Sequence, residues 1–198
     1  MKNKPTWLYK SADIPNTLLP LFQKEFTKIY KKFVKDLDKQ PNQFVSEEDI
    51  SIIPNEYPYI YKYLKLLGLH KSIVRLGLIV TTSPELTFAV HSDWPATGYA
   101  LNIPVLNCEN TYTAWYDAKI TNVKGNIYST DSWKGVAESY MYDNSTAVEL
   151  DRIEANKPHW INIHVPHSPI SDLNKLRINA TIRFTDDVYD FLNRKYPC

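Results

Sequence analysis

The first third of the chain has hydrophobic positions at helical spacing. From Ile14 to about Leu37, apolar residues recur three or four positions apart among charged ones, which predicts an amphipathic helix. A shorter pattern of the same kind runs from Tyr57 to Leu67. Gly68 follows it, and glycine is common just after a helix C-terminus. We therefore predict two helices in this part of the chain.

Beyond residue 71 the pattern changes to short segments rich in β-branched and aromatic residues, separated by Pro, Asn, Asp and Gly. Such segments predict β-strands. Strands in succession with no helices between them favour an antiparallel sandwich or barrel over a parallel α/β fold. A last amphipathic stretch, Asp187–Lys195, predicts a closing helix. The predicted strands are Ser72–Thr81, Leu86–Asp93, Tyr99–Leu106, Tyr112–Ile120, Thr146–Glu154, His159–Val165 and Arg177–Phe184.

The chain length and composition predict one globular domain. The 198 residues fit a single domain, and 43% hydrophobic with 23% charged residues is the ordinary balance of a protein with its own core. We expect a helical support over 1–70, a β core over 71–185 and a C-terminal helix over 186–198, all within one domain, 1–198.

Charge and cysteine content exclude several classes of partner. Lys and Arg number 23 against 22 Asp and Glu, so no large positive field indicates nucleic-acid binding. The sequence has no apolar run of membrane-spanning length and no apolar leader, so we expect a cytoplasmic protein without a membrane partner. Cys108 and Cys198 do not make a disulfide framework, and we expect free thiols. The sequence leaves the oligomeric state open.

One of the five histidines forms a His-x-Asp tripeptide, His91-Ser92-Asp93, at the end of a predicted strand. Residues two apart in a strand point to the same side, about 7 Å apart along the chain. The imidazole and the carboxylate are therefore presented together, which suits a metal ion. The tripeptide alone is a weak signal, because a surface histidine near an aspartate is common.

A C-terminal segment strengthens the metal hypothesis. It contains a further histidine in Pro166-His167-Ser168, and Arg177 follows ten residues later at the start of the last predicted strand. Two neutral imidazoles and one carboxylate on one face of the metal are the ligand set of non-haem iron oxygenases. With His-x-Asp, a distal His and then a basic residue, the sequence resembles the Fe(II)/2-oxoglutarate-dependent dioxygenase superfamily. The resemblance covers about Leu86 to Phe184.

This resemblance implies a mainly β fold with N-terminal helices, the double-stranded β-helix, which is a cupin-like distorted jelly roll. It implies that His91, Asp93 and His167 are the catalytic metal ligands. The implied cofactors are Fe(II), the cosubstrate 2-oxoglutarate and O2. The expected reaction is hydroxylation of a small molecule or peptide side chain, with release of succinate and CO2. Halogenation is not expected, because Asp93 occupies the position that halogenases leave for chloride.

Two histidines compete for the role of distal ligand. We choose His167, because its Pro-His-Ser setting and its spacing to Arg177 resemble the family pattern. His164 lies three residues earlier, and strand alternation would send it to the opposite side, so we interpret it as a supporting or packed residue. His159 and His70 are better interpreted as surface or packing residues.

The family resemblance assigns Arg177 to the distal carboxylate of 2-oxoglutarate. A guanidinium can bind a carboxylate through two parallel hydrogen bonds, and an unpaired charge inside a barrel is costly. Many members carry a hydroxyl residue two positions later, where this chain has Asn179. An amide also donates hydrogen bonds to a carboxylate. Arg183, on the same strand face, is the alternative to Arg177, although a salt-bridged strand arginine is the simpler interpretation.

Further residues are candidates on weaker grounds. Asn102 and Tyr116, in the strands after the His-x-Asp tripeptide, are predicted to face the cosubstrate, as polar residues do at this level in the family. Aromatic residues could line a substrate opening, although strand aromatics more often form the core. These aromatic candidates are Trp94, Tyr99, Trp115 and Trp133.

Two other classes of function compete with the oxygenase hypothesis. A cupin-like binding or structural jelly roll without catalysis would need neither Asp93 nor Arg177. A cupin metalloenzyme such as an isomerase more often has three or four ligands including a Glu, and no His-x-His cluster with a following Glu is present. The substrate itself cannot be inferred from fold and metal ligands, because these recur across many activities.

Overall fold

The computed structural model describes residues 5–37, 42–47, 49–81, 90–94, 98–125, 138–171 and 175–197. Within these ranges no helix combines the length and the apolarity that crossing a membrane requires. Most helices precede the β core, and one closes the chain. Their bounds are α1 (Leu19–Leu37), a 3-10 helix (Ile50–Ile52), α2 (Ile53–Glu56), α3 (Pro58–Leu66) and α4 (Val188–Lys195).

The described strands form two six-stranded sheets, with every pairing antiparallel. The strands are β1 (Tyr9–Ser11), β2 (Asn42–Glu47), β3 (Ile73–Thr81), β4 (His91–Trp94), β5 (Tyr99–Leu106), β6 (Thr111–Asp117), β7 (Ile120–Gly125), β8 (Glu138–Tyr142), β9 (Val148–Glu154), β10 (His159–Asn162), β11 (His167–Ser171) and β12 (Arg177–Phe184). Sheet A has the order β1-β10-β5-β12-β3-β2, and sheet B the order β7-β8-β4-β11-β6-β9.

Core strands of the chain alternate between the two sheets. The strands β3, β5, β10 and β12 belong to sheet A, while β4, β6, β9 and β11 belong to sheet B. Along these eight strands, six of the seven successive steps pass from one sheet to the other, which is the course of a jelly roll. The predicted double-stranded β-helix is confirmed by this topology.

The helices cover the outer face of sheet A. Phe22 and Phe26 of α1 and Leu64 of α3 are fully buried against strand residues such as Leu76 and Ile182. Burying such side chains contributes roughly 1.5–3 kcal/mol each relative to exposure. The N-terminal helices therefore hold one sheet in place, and the opposite face of that sheet is left to form the interior of the barrel.

The inner face of sheet A is polar where β12 runs along it. Alternate residues of β12 point away from the helices, and this row carries hydrogen-bonding side chains at its four positions. Trp115 of β6 fills the space between the sheets and packs on Ala100 and Ile161. The row is Arg177, Asn179, Thr181 and Arg183.

Some predicted boundaries differ from the observed ones. Strands β1 and β2 lie inside the region predicted as helical support, and β7, β8 and β11 were not predicted as strands. The strand predicted as Tyr112–Ile120 ends at Asp117, and that predicted as His159–Val165 ends at Asn162. Short strands at sheet edges have weak sequence signals, because partner strands rather than their own residues stabilise them. Residues 82–89 are outside the described residues, and they include the beginning of the predicted strand Leu86–Asp93.

Candidate metal centre

Three of the predicted ligands lie together between the two sheets. His91 and Asp93 come from β4 and His167 from the start of β11, and the structure pairs the Cα atoms of His91 and His167 across these strands. One ligand atom from each of the three side chains lies within 4.8 Å of the other two. The imidazole centroids are 4.5 Å apart, with planes tilted by 48°. Three donors at this spacing can share one small cation.

A backbone contact fixes which nitrogen of His167 is free. Its Nδ1 lies 3.0 Å from the carbonyl oxygen of Val165. A carbonyl can only accept, so Nδ1 carries the proton and Nε2 keeps a lone pair. A hydrogen bond of this kind also orients the ring of a metal-binding histidine. In the sequence, Pro166 lies between the bend at 163–165, which contains the Val165 carbonyl, and His167 at the start of β11.

The carboxylate of Asp93 is held by an arginine on the opposite sheet. Arg183 Nη1 lies 2.7 Å from Asp93 Oδ2, while Oδ1 lies 3.9 Å from His91 Nε2. Burial by itself raises the pKa of the Asp93 carboxyl. The positive charge of Arg183, followed by the influence of His91 and His167, outweighs burial and brings the pKa well below its usual range. Asp93 is therefore an anion, as a metal ligand must be.

His167 is kept neutral by its surroundings. The residue is 4% exposed, and burial is the largest cause that lowers its pKa to about 3. His91 adds to the lowering, and the carboxylate of Asp93 opposes it. A neutral imidazole is the form that binds metals.

Arg177 is buried at the start of β12, with 1% of its surface exposed. Its Nε donates to Thr111 Oγ1 at 2.9 Å, and Thr111 in turn donates to the carbonyl of Cys108 at 2.8 Å. Its Nη1 has no hydrogen-bond partner among the described residues, and none of their carboxylates forms a salt bridge with it. Burial lowers the pKa of Arg177. Even so, a guanidinium stays charged in proteins, so Arg177 can pair with an anion.

Other polar atoms in the interior also lack partners among the described residues. The amide oxygens of Asn102 and Asn179 and the hydroxyl of Thr181 are buried without a hydrogen bond. Asn102 and Thr181 are neighbours across β5 and β12. Unsatisfied buried polar groups are uncommon in folded proteins and indicate a missing ligand or water. Two further such hydroxyls belong to Thr81 and Ser171.

Sequence reasoning missed the threonines of this interior. Thr111 orients Arg177, and Thr181 lies on the same face of β12 as Arg177 and Asn179. Strand alternation was a sufficient signal for Thr181, since it is four residues from Arg177. Thr111 could not be found this way, because its contact depends on the packing of β6 against β12.

The remaining histidines lie outside the triad. His164 is in the bend at residues 163–165, so the argument from strand alternation does not apply to it; its backbone N–H donates to Asn162 Oδ1 at 3.1 Å. His159 is a packed residue whose ring meets that of Tyr9 edge-on, and burial lowers its pKa. His70 packs edge-on against Tyr61.

Tyr116, which we predict to face the cosubstrate, lies beside charged residues of β9. Its Cα partner is Glu149, and the β6–β9 register shifts between Trp115 and Tyr116. Burial is the largest cause that raises the pKa of Tyr116, and the charge of Glu149 raises it further while Arg152 lowers it. Both charged neighbours are on the exposed edge strand β9.

The aromatic candidates for a substrate opening divide into two groups. Trp115 and Tyr99 are fully buried, and the Tyr99 hydroxyl donates to the carbonyl of Pro5 at 2.8 Å, so both are core residues. Trp133 and the side chain of Trp94 are outside the described residues. The structure thus assigns no described aromatic side chain of this set to a substrate opening.

The residues present fit an Fe(II) ion and 2-oxoglutarate. Two imidazoles, of which His167 is kept neutral, and one ionised carboxylate match the donor set of a facial triad. A buried arginine nitrogen without a partner suits a carboxylate at some distance from the metal.

Sequence comparisons identify no relative: no protein-family model matches, and no curated protein matches significantly. Solved structures match at low identity. The non-haem α-ketoglutarate-dependent carbocyclase SnoK from nogalamycin biosynthesis is 12% identical, with 89% of this chain and 78% of that chain covered and a TM-score of 0.49. AviO1 from Streptomyces viridochromogenes Tue57 is 8% identical, with 90% of each chain covered and a TM-score of 0.47. HygX from Streptomyces hygroscopicus, with nickel and 2-oxoglutarate bound, is 8% identical, with 89% and 81% covered and a TM-score of 0.44.

Proposed function

We propose that this protein is an Fe(II)- and 2-oxoglutarate-dependent dioxygenase that hydroxylates a small molecule or a peptide side chain. The proposal is carried by one observation, the combination of two sites in one barrel. At one site His91, Asp93 and His167 bring three ligand atoms within 4.8 Å of one another. At the other, the buried Arg177 lacks a carboxylate partner among the described residues.

The chain's own residues would perform binding, orientation and charge compensation. His91, Asp93 and His167 would hold Fe(II). Arg177 would bind the distal carboxylate of 2-oxoglutarate, with its plane fixed by the hydrogen bond from Nε to Thr111. The iron and its cosubstrate, when bound, supply the activation of dioxygen that hydroxylates an unactivated C–H bond and yields succinate and CO2. The protein supplies the geometry and the dry cavity for that chemistry.

One unsatisfied polar atom of the interior supports the same ligand. The hydroxyl of Thr181 has no partner among the described residues, and a hydroxyl can donate to a carboxylate oxygen. Thr181 would therefore add a hydrogen bond to a dicarboxylate that Arg177 holds, while the amide oxygens of Asn102 and Asn179 can only accept hydrogen bonds. The interior is therefore polar along β12, on the side that faces the metal ligands.

The alternative is a cupin-like metal-binding or structural protein without oxygenase activity. Such a protein would account for the His-Asp-His group and for the jelly roll. It gives no reason for Arg177, because a buried guanidinium without a counter-ion costs stability and contributes nothing to a purely structural barrel. The two functions differ in whether the protein binds 2-oxoglutarate.

An anaerobic titration tests the proposal. The Fe(II)-loaded protein is titrated with 2-oxoglutarate while the metal-to-ligand charge-transfer absorption of the chelate is followed, for the wild type, Arg177→Met and Arg152→Met. Arg152 is a matched control, because it is an exposed arginine that pairs with Glu149. We expect Arg177→Met to lose roughly 2–5 kcal/mol of binding free energy, about thirtyfold to several thousandfold in affinity.

Iron content should stay the same in Arg177→Met, since Arg177 is not a ligand, and Arg152→Met should titrate as the wild type does. A wild type that binds Fe(II) but gives no absorption band with 2-oxoglutarate would favour the cupin-like alternative. Equal affinities in the wild type and Arg177→Met would remove Arg177 from the site.

A further inference from the structure

The two carboxylate oxygens of Asp93 have different neighbours. Oδ2 forms an ion pair with Arg183 Nη1, 2.7 Å away. Oδ1 is directed toward the other predicted ligands, 3.9 Å from His91 Nε2. The two side chains of the ion pair are only 13% and 19% exposed. One oxygen therefore lies against a cation, and the other lies on the side of the two histidines.

The register of β12 explains how an arginine from sheet A reaches a ligand on sheet B. Arg183 lies on the inner face of β12, six residues after Arg177, and its Cα partner on β5 is Ala100. Ala100 is fully buried and packs in the same cluster as Trp115. The partner on β3 is Arg75.

We propose that Arg183 is a positioning residue that holds Asp93 so that only Oδ1 is offered to the metal. This inference rests on the proposed function and deepens it. An octahedral ion with three protein ligands has three open positions, which is enough for two cosubstrate atoms and dioxygen. If Asp93 bound through both oxygens, one of these positions would be lost. Arg183 prevents this by engaging Oδ2.

The strength of the contact fits this role. The attraction between two opposite charges grows as their distance falls and as water is excluded, and Arg183 Nη1 lies only 2.7 Å from Asp93 Oδ2 in a largely buried pair. Groups that hydrogen-bond to metal ligands orient them, and their removal typically weakens metal binding about 10–100-fold. Both side chains are largely buried, so water has little access to the ion pair between Arg183 and Asp93.

The test uses Co(II) alone as the probe, with the wild type, Arg183→Met, Arg183→Lys and Arg75→Met. Methionine keeps most of the side-chain length and removes every donor, while lysine restores a charged donor. Arg75 is the matched control, because it is an arginine directly across from Arg183 on the neighbouring strand. Co(II) affinity and the visible d–d spectrum are measured, since the intensity of these bands depends on coordination number.

We expect Arg183→Met to bind Co(II) about 10–100-fold more weakly, with an altered spectrum. Arg183→Lys should recover part of the affinity and move the spectrum back toward that of the wild type. Arg75→Met should match the wild type in both measurements. A merely structural role would lower the free energy of unfolding without changing Co(II) affinity or spectrum in the folded protein.

The outcomes separate this inference from the proposed function. A wild type that binds no Co(II) contradicts the metal site and hence the proposed function. A wild type that binds Co(II), with Arg183→Met equal to it in affinity and spectrum, contradicts the positioning role alone. The same loss in Arg75→Met would also overturn the role, because it would show an effect of charge at this end of the barrel and not of the contact with Asp93.

Discussion

The Cα atoms of His91 and His167 are partners across β4 and β11, and their ring centroids lie 4.5 Å apart. Two residues 76 positions apart in the sequence (167 minus 91) are thereby brought to the same level of one sheet. Each of the two histidines therefore offers one ring nitrogen to the same site. Their removal should therefore have similar effects on metal binding.

We expect His91→Ala and His167→Ala each to weaken Fe(II) binding by more than about 100-fold, since even a partner of a ligand contributes about 10–100-fold. His164→Ala, in the neighbouring bend, should retain the full iron content. Iron per chain after dialysis and a competition titration with a chelator measure this. Full iron stoichiometry in both His91→Ala and His167→Ala would place the metal elsewhere, and loss only in His164→Ala would exchange the two assignments.

The metal-free protein should lose stability as the pH falls, and His167 should be one cause. Burial lowers the pKa of His167 in the folded protein to about 3, from an ordinary 6.5. Between these values the unfolded chain binds a proton that the folded protein does not, so stability is lost as pH falls through 6.5 toward 3. The Asp93 carboxyl, whose folded pKa is also lowered, acts in the same direction at lower pH.

Each such proton changes the free energy of unfolding by up to about 1.4 kcal/mol per pH unit, or about 2 kcal/mol between pH 6.5 and 5. Urea unfolding of the wild type and of His167→Gln, both in the presence of a chelator, measures this at pH 7, 6 and 5. The wild type should lose more stability than His167→Gln over this range. Equal losses in both proteins would show that His167 is not kept neutral by burial.

The helical layer depends on one buried carboxylate that joins two helices. Glu25 of α1 is 3% exposed and accepts hydrogen bonds from the backbone N–H groups of Tyr59 and Ile60, at 3.0 and 2.9 Å, in the first turn of α3. Helix N-termini have unsatisfied N–H groups and a partial positive charge, both of which favour a carboxylate. Glu25 therefore caps α3 from outside its own helix.

Glu25→Ala should lower the free energy of unfolding by about 1–3 kcal/mol, because two N–H groups, of which that of Ile60 is buried, lose their acceptor. Glu56→Gln, which changes an exposed carboxylate in the adjacent α2, should stay within about 0.5 kcal/mol of the wild type. Urea unfolding with the two proteins side by side measures the difference. No loss in Glu25→Ala would mean that water replaces the carboxylate at little cost.

The sequence was informative where the signal is local. Helical spacing predicted α1 and α3, and the β-branched segment Arg177–Phe184 predicted the strand β12. The strand β11 was missed, because Pro166 and Pro169 interrupt its pattern and its pairing partners β4 and β6 are far away in the sequence. Register decides such strands, and a single sequence does not state register.

The candidate site shows the same limit. Strand spacing put His91 and Asp93 on one side of a strand, and the resemblance to a family supplied His167 and Arg177. The contact between Arg183 and Asp93 depends on which residues of sheet A lie opposite β4, so it could not be read from spacing. The surroundings of Tyr116 also depend on register, because its neighbours on β9 follow from a strand pairing that shifts between Trp115 and Tyr116.

Conversion of 2-oxoglutarate to succinate tests the central claim most directly. Fe(II)-loaded protein and one equivalent of 2-oxoglutarate are mixed without oxygen, exposed to O2, quenched with acid and analysed for succinate. The wild type should form succinate only with both iron and O2, and Asp151→Ala, which changes an exposed aspartate, should behave like it. Asp93→Ala should form none above free Fe(II). If the iron-loaded wild type forms no more succinate than free Fe(II) does, the protein is not a 2-oxoglutarate-dependent dioxygenase.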